Sequence, residues 1–153
     1  MEDKAITIFF SSRLYPKKKG MMSCMKMEKA FIKGLKHLLS KQYRYLIVAD
    51  RGFGNQRFAN LCKENDFEYV LRIRENLIIE RGGKNENLKN EIGNKKFKAK
   101  VISWQEEHNF SIEERNKERW YLMASREDLD AKSIYEKKIQ NRKKLSRLQK
   151  WGI

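Results

Sequence analysis

The sequence predicts an α/β fold, a mixed sheet flanked by helices, and three observations in its first half carry this prediction. Residues 44–49 contain the unbroken apolar run YLIVA, which is typical of a strand covered on both faces. Residues 25–40 repeat apolar side chains at helical spacing, and residues 67–73, FEYVLRI, alternate as a strand does. With a short helix between the two strands, this order implies a parallel α/β unit with right-handed crossovers.

Local signals predict the remaining elements of the first half. Residues 5–15 have the composition of a strand or a hairpin arm that Pro16 closes. Asn55 is a suitable N-cap for the short helix, which is predicted to end at about Glu64 and to turn Phe58, Leu61 and Cys62 inward. The helix over 25–40 is predicted to have a lysine-rich outer face, with an inner face of Met27, Ala30, Phe31, Gly34, Leu35 and Leu38.

The second half is predicted to begin with a mostly β insertion, residues 77–125, within a single domain that spans residues 1–153. Its first part, RGGKNENLKNEIGNKK, is predicted to be a polar loop, and FKAKVISW and RWYLMAS are predicted strands around another polar stretch. The chain is predicted to be helical again to about Gln149, with Asp128 or Asp130 as the N-cap.

Composition narrows the class of protein. The chain has 153 residues, 40% of them apolar and 36% charged, which fits one folded domain and excludes a membrane protein. The run AITIFF is too short for a signal-peptide core or a membrane span, so we expect a cytoplasmic protein. Cys24 and Cys62 lack metal-ligand spacing and are expected to be buried or reduced thiols.

Positive charge is the first indication of a partner. The formal net charge is +15, and residues 137–153 carry seven Lys or Arg and no acid. Residues 16–45 carry nine Lys or Arg against Glu28 alone. Such patches suit the phosphates of a nucleic acid, because each neutralised phosphate releases counterions. The alternative is a solvated, lysine-rich face without a partner.

Asp50 ends the apolar run, and two interpretations of it follow from the residues alone. At the carboxyl end of a parallel strand it lies where α/β proteins collect ligand-binding and catalytic groups. It is equally suited to cap the turn that follows. Gly52 and Gly54 fit both interpretations, since glycine permits a tight turn and a close approach of the backbone.

Three segments together resemble a known family. VADRGFGNQRF, FEYVLRIRENL and RWYLMASREDLDAKSIY are similar, in this order, to segments of the bacterial DDE transposases of the insertion-sequence-four group. The resemblance implies a ribonuclease H-like fold and DNA cleavage and strand transfer at transposon ends. It also implies an Asp, Asp, Glu triad that holds two magnesium ions for an in-line attack on a phosphodiester. Asp50 carries over as the second metal ligand and catalytic residue.

The chain departs from the family pattern at the other two acids. The family's first Asp lies on a strand that precedes the segment matching ITIFFSSRLYP, so we expect an N-terminally truncated copy. The third acid belongs to a Y-x2-R-x3-E-x6-K pattern, and alignment on Tyr135 gives Lys138, Arg142 and Gln149 instead. A guanidinium cannot ligate magnesium, so we expect the metal pair to be held poorly or not at all. We also expect the YLIVA strand to have an unpaired edge.

The resemblance also indicates which cations contact DNA. The family's last helix lies near the bound transposon end, which favours Lys138, Arg142, Lys143, Lys144 and Arg147. Arg72 and Arg74 are further candidates, although a solvent-facing strand position explains them equally well. Trp104, Trp120 and Trp151 are expected to serve packing rather than base stacking, and His37 and His108 are expected on the surface.

The sequence therefore predicts a transposase-family protein with impaired catalysis, acting on DNA near the bacterial nucleoid. The alternative is a non-catalytic DNA-binding protein that occupies transposon ends, or that pairs with intact transposase and inhibits it. Pairing with a second copy of the chain is a further expectation.

Overall fold

A computed structural model of the chain describes residues 5–10 and 21–150, with side chains in 6–10 and 25–148. One sheet contains all eight strands of this part of the chain. The elements are β1 (Ala5–Phe10), α1 (Met21–Leu38), β2 (Arg44–Ala49), α2 (Gln56–Glu64), β3 (Glu68–Arg72), β4 (Ile78–Arg81), β5 (Lys84–Asn87), β6 (Lys95–Val101), β7 (Glu106–Arg115), β8 (Glu118–Ala124) and α3 (Ala131–Lys150).

The sheet is mixed, and its strand order is β1-β2-β3-β8-β7-β6-β4-β5. The first three strands run parallel to one another, and every later pairing is antiparallel. The fold is thus α/β with a mixed sheet, as the sequence predicts. The five strands of the 77–125 segment extend the same sheet, because β8 pairs directly with β3.

Strand β2 is buried on both faces, which confirms the prediction for the YLIVA run. Tyr45, Ile47 and Ala49 face a core cluster that contains Ile32 of α1 and Phe58 of α2. Leu46 and Val48 face the opposite cluster, which contains Trp120 of β8 and Tyr135 of α3. Alternate side chains of a strand point to opposite faces, so helices on both sides of the sheet require an apolar residue at every position.

The predicted unpaired edge of β2 is wrong. Strand β1 pairs with β2 in parallel along its whole length, with Ile8 opposite Ile47, and β3 pairs with its other side. The main-chain N–H and C=O groups of β2, the most apolar strand, are therefore hydrogen-bonded to β1 and β3. The outermost strand on this side of the described sheet is β1.

The predicted inner face of α1 is only partly correct. Leu35 packs against the core, but the buried side chains among the described residues of the helix, 25–38, are Glu28 and Ile32. Phe31 is 51% exposed and Leu38 is 85% exposed. Glu28 reaches this face because Arg57 of α2 pairs with its carboxylate at 2.8 Å. A charged residue with a partner on another helix is invisible to an analysis of apolar spacing, so the helix is rotated from the predicted orientation.

Two segments predicted as polar loops contain strands. The first contains the turn and the second strand of the hairpin β4–β5, whose turn residues Gly82 and Gly83 have φ of 59° and 78°, a left-handed backbone that favours glycine. The second contains the 10-residue strand β7, which lies between β6 and β8. His108 of β7 is 5% exposed, so its predicted surface position is wrong. Pairing on both sides buries polar side chains that look solvated in the sequence.

Several local predictions are confirmed. The Asn55 side chain accepts from the Phe58 N–H at 2.9 Å and caps α2, and Asp130 accepts from the Ser133 N–H at 3.3 Å to cap α3. Cys62 is a buried free thiol whose pKa is raised to about 12, mainly by burial. Trp120 is buried against Tyr135. Residues 11–20 and Trp151 lie outside the described residues, as does the side chain of Cys24.

Gly54 packs closely against the backbone of Arg72 and Ile73, at the end of β3. A Cβ atom there would lie 2.1 Å from the carbonyl oxygen of Arg72 and 2.9 Å from the Cα of Ile73. We expect Gly54→Ala to lower the free energy of unfolding by at least about 2 kcal/mol, since the obstacle is backbone and cannot rotate away. Urea denaturation measures this loss.

Gly34 in α1 is the matched control, because nothing described lies within 4 Å of a Cβ at that position. Gly34→Ala should be neutral or stabilise by up to about 1 kcal/mol, through helix propensity. Equal effects of the two substitutions would contradict the packing argument.

A second prediction concerns the pH dependence of stability. Burial lowers the pKa of His108, with Glu106 acting in the opposite direction and Lys63 in the same one. The unfolded chain therefore binds a proton at higher pH than the folded one. The stability that neutral His108 contributes is complete above a pH of about 6.5 and is lost as the pH falls through the folded pKa.

Chemical denaturation across the range from neutral to acidic pH tests this. His108→Gln should flatten the part of the pH profile that lies just below 6.5. His37→Gln, at an exposed position of α1, should leave the profile unchanged. Parallel profiles for the wild type and His108→Gln would show that the buried imidazole does not cause the slope.

Candidate functional site

Asp50 directly follows β2 and caps the turn at the end of that strand. Its Oδ1 accepts from the Gly52 N–H at 3.3 Å, at the N-terminus of a 3-10 turn over Arg51–Phe53. Phe53 is buried in the core, and this holds the turn against the sheet. The cap interpretation of Asp50 is thus confirmed, while its carboxylate remains half-buried at the carboxyl edge of the parallel strands.

Strand β3 delivers Arg72 to the same edge. The Arg72 side chain is only 14% exposed and pairs with Glu118 at the start of β8. The hydrogen bond from Arg72 is the main reason why the pKa of Glu118 is lowered. The sequence alternation had indicated a solvent-facing position for Arg72, and the structure corrects this, because Arg72 lies on the α3 side of the sheet and interacts with Tyr135 and Glu118.

Helix α3 closes the site with one stripe of side chains. Tyr135, Lys138 and Arg142 are spaced by three and four residues, so they lie on the same side of the helix. Tyr135 is 1% exposed and Lys138 is 4% exposed, whereas Arg142 is exposed. The helix contacts β2, β3, β7 and β8, so it packs over the strands that lead to this edge of the sheet.

Electrostatic interactions connect these side chains into one group, which we call the Asp50 cluster: Asp50, Arg72, Tyr135, Lys138 and Arg142. Burial raises the pKa of Tyr135, with Arg72 opposing and Asp50 reinforcing the shift. Burial likewise lowers the pKa of Lys138, with Asp50 opposing it and Arg142 and Arg72 reinforcing it. The structure therefore brings together two of the three aligned positions of the family pattern with the predicted metal ligand.

The remaining predicted cations lie nearby or further along α3. Arg74 is exposed and lines a shallow depression with Arg51 and Gly52, beyond the end of β3. Lys143, Lys144 and Arg147 are exposed on the last turns of α3. Whether these residues contact DNA stays a prediction.

Sequence reasoning missed Arg51 and Glu118 as neighbours of the site. Arg51 lies next to Asp50 in the chain and acts electrostatically on Glu118. Its adjacency to Asp50 was a usable signal. Glu118 had none, because it meets the Arg72 side chain only through the antiparallel pairing of β3 and β8, in which Leu122 is opposite Arg72.

The Asp50 cluster does not suit a divalent metal ion. Magnesium requires several oxygen ligands, and the cluster offers one carboxylate among three cationic side chains. In the described part of the chain, no three His, Cys, Asp or Glu side chains are placed to hold a metal ion. The chemistry of the donor set therefore disagrees with the metal pair that the resemblance implies.

Comparison with known proteins identifies the family. The family model described as transposase DDE domain matches residues 25–142, more than half of the chain. No curated protein and no solved structure matches. Among the described residues, no helix is long and apolar enough to span a membrane. The matched range includes Asp50, the strands β2 and β3 with α2 between them, and α3 up to Arg142. The chain belongs to the transposase DDE domain family.

Proposed function

We propose that this chain binds DNA as a member of the transposase family and does not itself hold the metal pair that cuts DNA. One observation carries the proposal. Arg142 lies one turn beyond Lys138 on the α3 stripe, at the position where the insertion-sequence-four pattern has its Glu, and acts electrostatically on Lys138. A guanidinium at this position repels a divalent cation and attracts a phosphate.

The finer fold assignment belongs to the same proposal. We infer that the parallel strands with α1, α2 and α3 form a ribonuclease H-like core of one domain, and that residues 77–125 are a β-rich insertion in it. Three features support this: the parallel pairing of β2 and β3, the crossover through α2, and the return of α3 to β2.

DNA binding would rely on the exposed cations rather than on the buried ones. Arg142 is the exposed cation of the Asp50 cluster, and Lys143, Lys144 and Arg147 continue along α3. Arg74 lines the depression beside Arg51 and Gly52. Arg72 and Lys138 are mostly buried, so they have little surface to offer a phosphate in this conformation. We therefore assign the DNA backbone to the exposed set and give the two buried cations an indirect role.

A gel-shift series tests this assignment. Lys143→Gln combined with Lys144→Gln should weaken binding and reduce the slope of log Kobs against log salt by about 2, if each lysine contacts one phosphate. Lys84→Gln combined with Lys89→Gln removes the same charge from exposed positions in and near β5, the outer strand at the other edge of the sheet from β1. This control should have little effect on DNA binding.

The choice of DNA separates specific recognition from charge alone. Fragments with the ends of the encoding element should bind more tightly than scrambled fragments of equal length at matched salt. The two double variants could lose DNA affinity equally, with no preference of the protein for end fragments over scrambled ones. That result would mean that only non-specific charge attraction holds the DNA.

A nicking assay tests the catalytic part. We expect no cleavage of supercoiled DNA by this chain with Mg²⁺ or Mn²⁺ above the level of Asp50→Ala. Robust metal-dependent nicking that Asp50→Ala abolishes would refute the proposal. The inhibitor alternative predicts that the chain lowers the rate of an intact transposase in the same assay.

A further inference from the structure

The apolar stripe that the sequence places on α1 lies largely outside the core. Met27, Phe31, Leu35 and Leu38 recur at steps of four, four and three residues, so they share one flank of the helix. Leu35 packs against the core, but Phe31 is 51% exposed and Leu38 is 85% exposed. A continuous apolar row of this kind on a folded chain marks a surface for a partner.

The charges of α1 lie on its other flank, which faces α2. Lys36 pairs with Asp66, just after α2, at 3.2 Å, and Lys29 lines a groove between the two helices. The apolar flank faces the opposite way, towards β1, where the rings of Phe31 and Phe10 meet at a centroid distance of 5.1 Å. The apolar row therefore runs beside the edge of the sheet.

Strand β1 forms this edge in the described sheet, and nothing in its sequence protects it. AITIFF contains neither a charge nor a proline, and its register with β2 is continuous, without a bulge. Charges, prolines and bulges are the usual means of blocking an edge, because its outward N–H and C=O groups accept a further strand. Ile6, on the same face of β1 as Ile8 and Phe10, is 40% exposed and extends the apolar row.

We propose that two copies of this chain pair through the edge of β1 and the apolar flank of α1, with their β1 strands antiparallel across a two-fold axis. We call this the β1–α1 surface: β1 with Met27, Phe31, Leu35 and Leu38. An axis perpendicular to the sheet joins the two sheets edge to edge and keeps both α1 helices on the same face. The two apolar flanks then face each other.

Charge favours a second copy as the occupant of this surface. The net charge of the chain is +15, so two copies repel each other wherever their lysines and arginines meet. The β1–α1 surface has no charged side chain, and self-pairing places none opposite another. The open edge requires a strand and the exposed side chains require apolar cover, and an identical surface supplies both. This inference goes beyond DNA binding and does not depend on it.

The two-fold arrangement predicts which side chains meet. Helix α1 connects two parallel strands, so it runs antiparallel to β1. Phe31 lies at the Phe10 end of β1, and Leu38, two turns later, lies towards the other end of the strand. Across the axis, Phe31 of one copy therefore faces Leu38 of the other.

Sedimentation velocity over a range of protein concentrations tests the pairing, at high salt to screen the repulsion between the chains. We expect a monomer–dimer equilibrium for the wild type. Phe31→Glu and Leu38→Lys should each raise the dimer Kd by at least about tenfold, because each buries an unpaired charge in the contact. An equimolar mixture of the two variants should recover the dimer, since the new carboxylate of one copy meets the new ammonium group of the other.

Ile92→Lys, at a 70% exposed position outside the β1–α1 surface, is the matched control and should leave Kd unchanged. Amide exchange in β1 should slow as the dimer forms, because outward N–H groups become hydrogen-bonded. The proposal is overturned by a wild type that stays monomeric, by assemblies larger than a dimer, or by a mixture that pairs no better than the variants alone. If circular dichroism shows that Phe31→Glu does not fold, the exposed Leu38→Lys decides against Ile92→Lys: an unchanged Kd overturns the proposal.

Discussion

Strand β2 lies between two parallel neighbours and under helices on both faces, and the position of every group in the Asp50 cluster depends on this burial. Its side chains pack alternately into the core clusters on the two faces of the sheet, Ile47 into one and Val48 into the other. A strand held in this way cannot slip in register without moving polar groups into both cores. Its carboxyl end is therefore a rigid place from which Asp50 and the following turn project.

Around that end, Asp50 and several cationic side chains act electrostatically on their buried neighbours. Helix α3 is packed on the apolar face of the sheet through Tyr135, and Lys138, one turn further along, is buried as well. Arg142, one turn beyond Lys138, is exposed. Under the proposed function, this and the other exposed cations of α3 are the groups that an anionic partner would contact.

The limits of sequence reasoning in this chain have a common cause. Local signals with a direct backbone partner, such as the caps Asn55 and Asp130, are predictable because partner and signal are three residues apart. The errors concern polar side chains whose partner lies far away in the chain. Glu28 is buried by Arg57, and His108 is buried in a strand paired on both sides. In each case burial depends on contacts that no local pattern records.

The sequence by itself determined the α/β class, the buried strand, the position of Asp50 at its end and the spacing of the α3 stripe. These depend on periodicity and on the chemistry of neighbouring residues, which the chain carries in its order. The tertiary structure alone decided that β1 pairs with β2, that Glu118 engages Arg72, and that Lys138 is buried. Strand order and helix rotation depend on how segments distant in the sequence pack together. That packing also determines which charged groups are desolvated and therefore need partners.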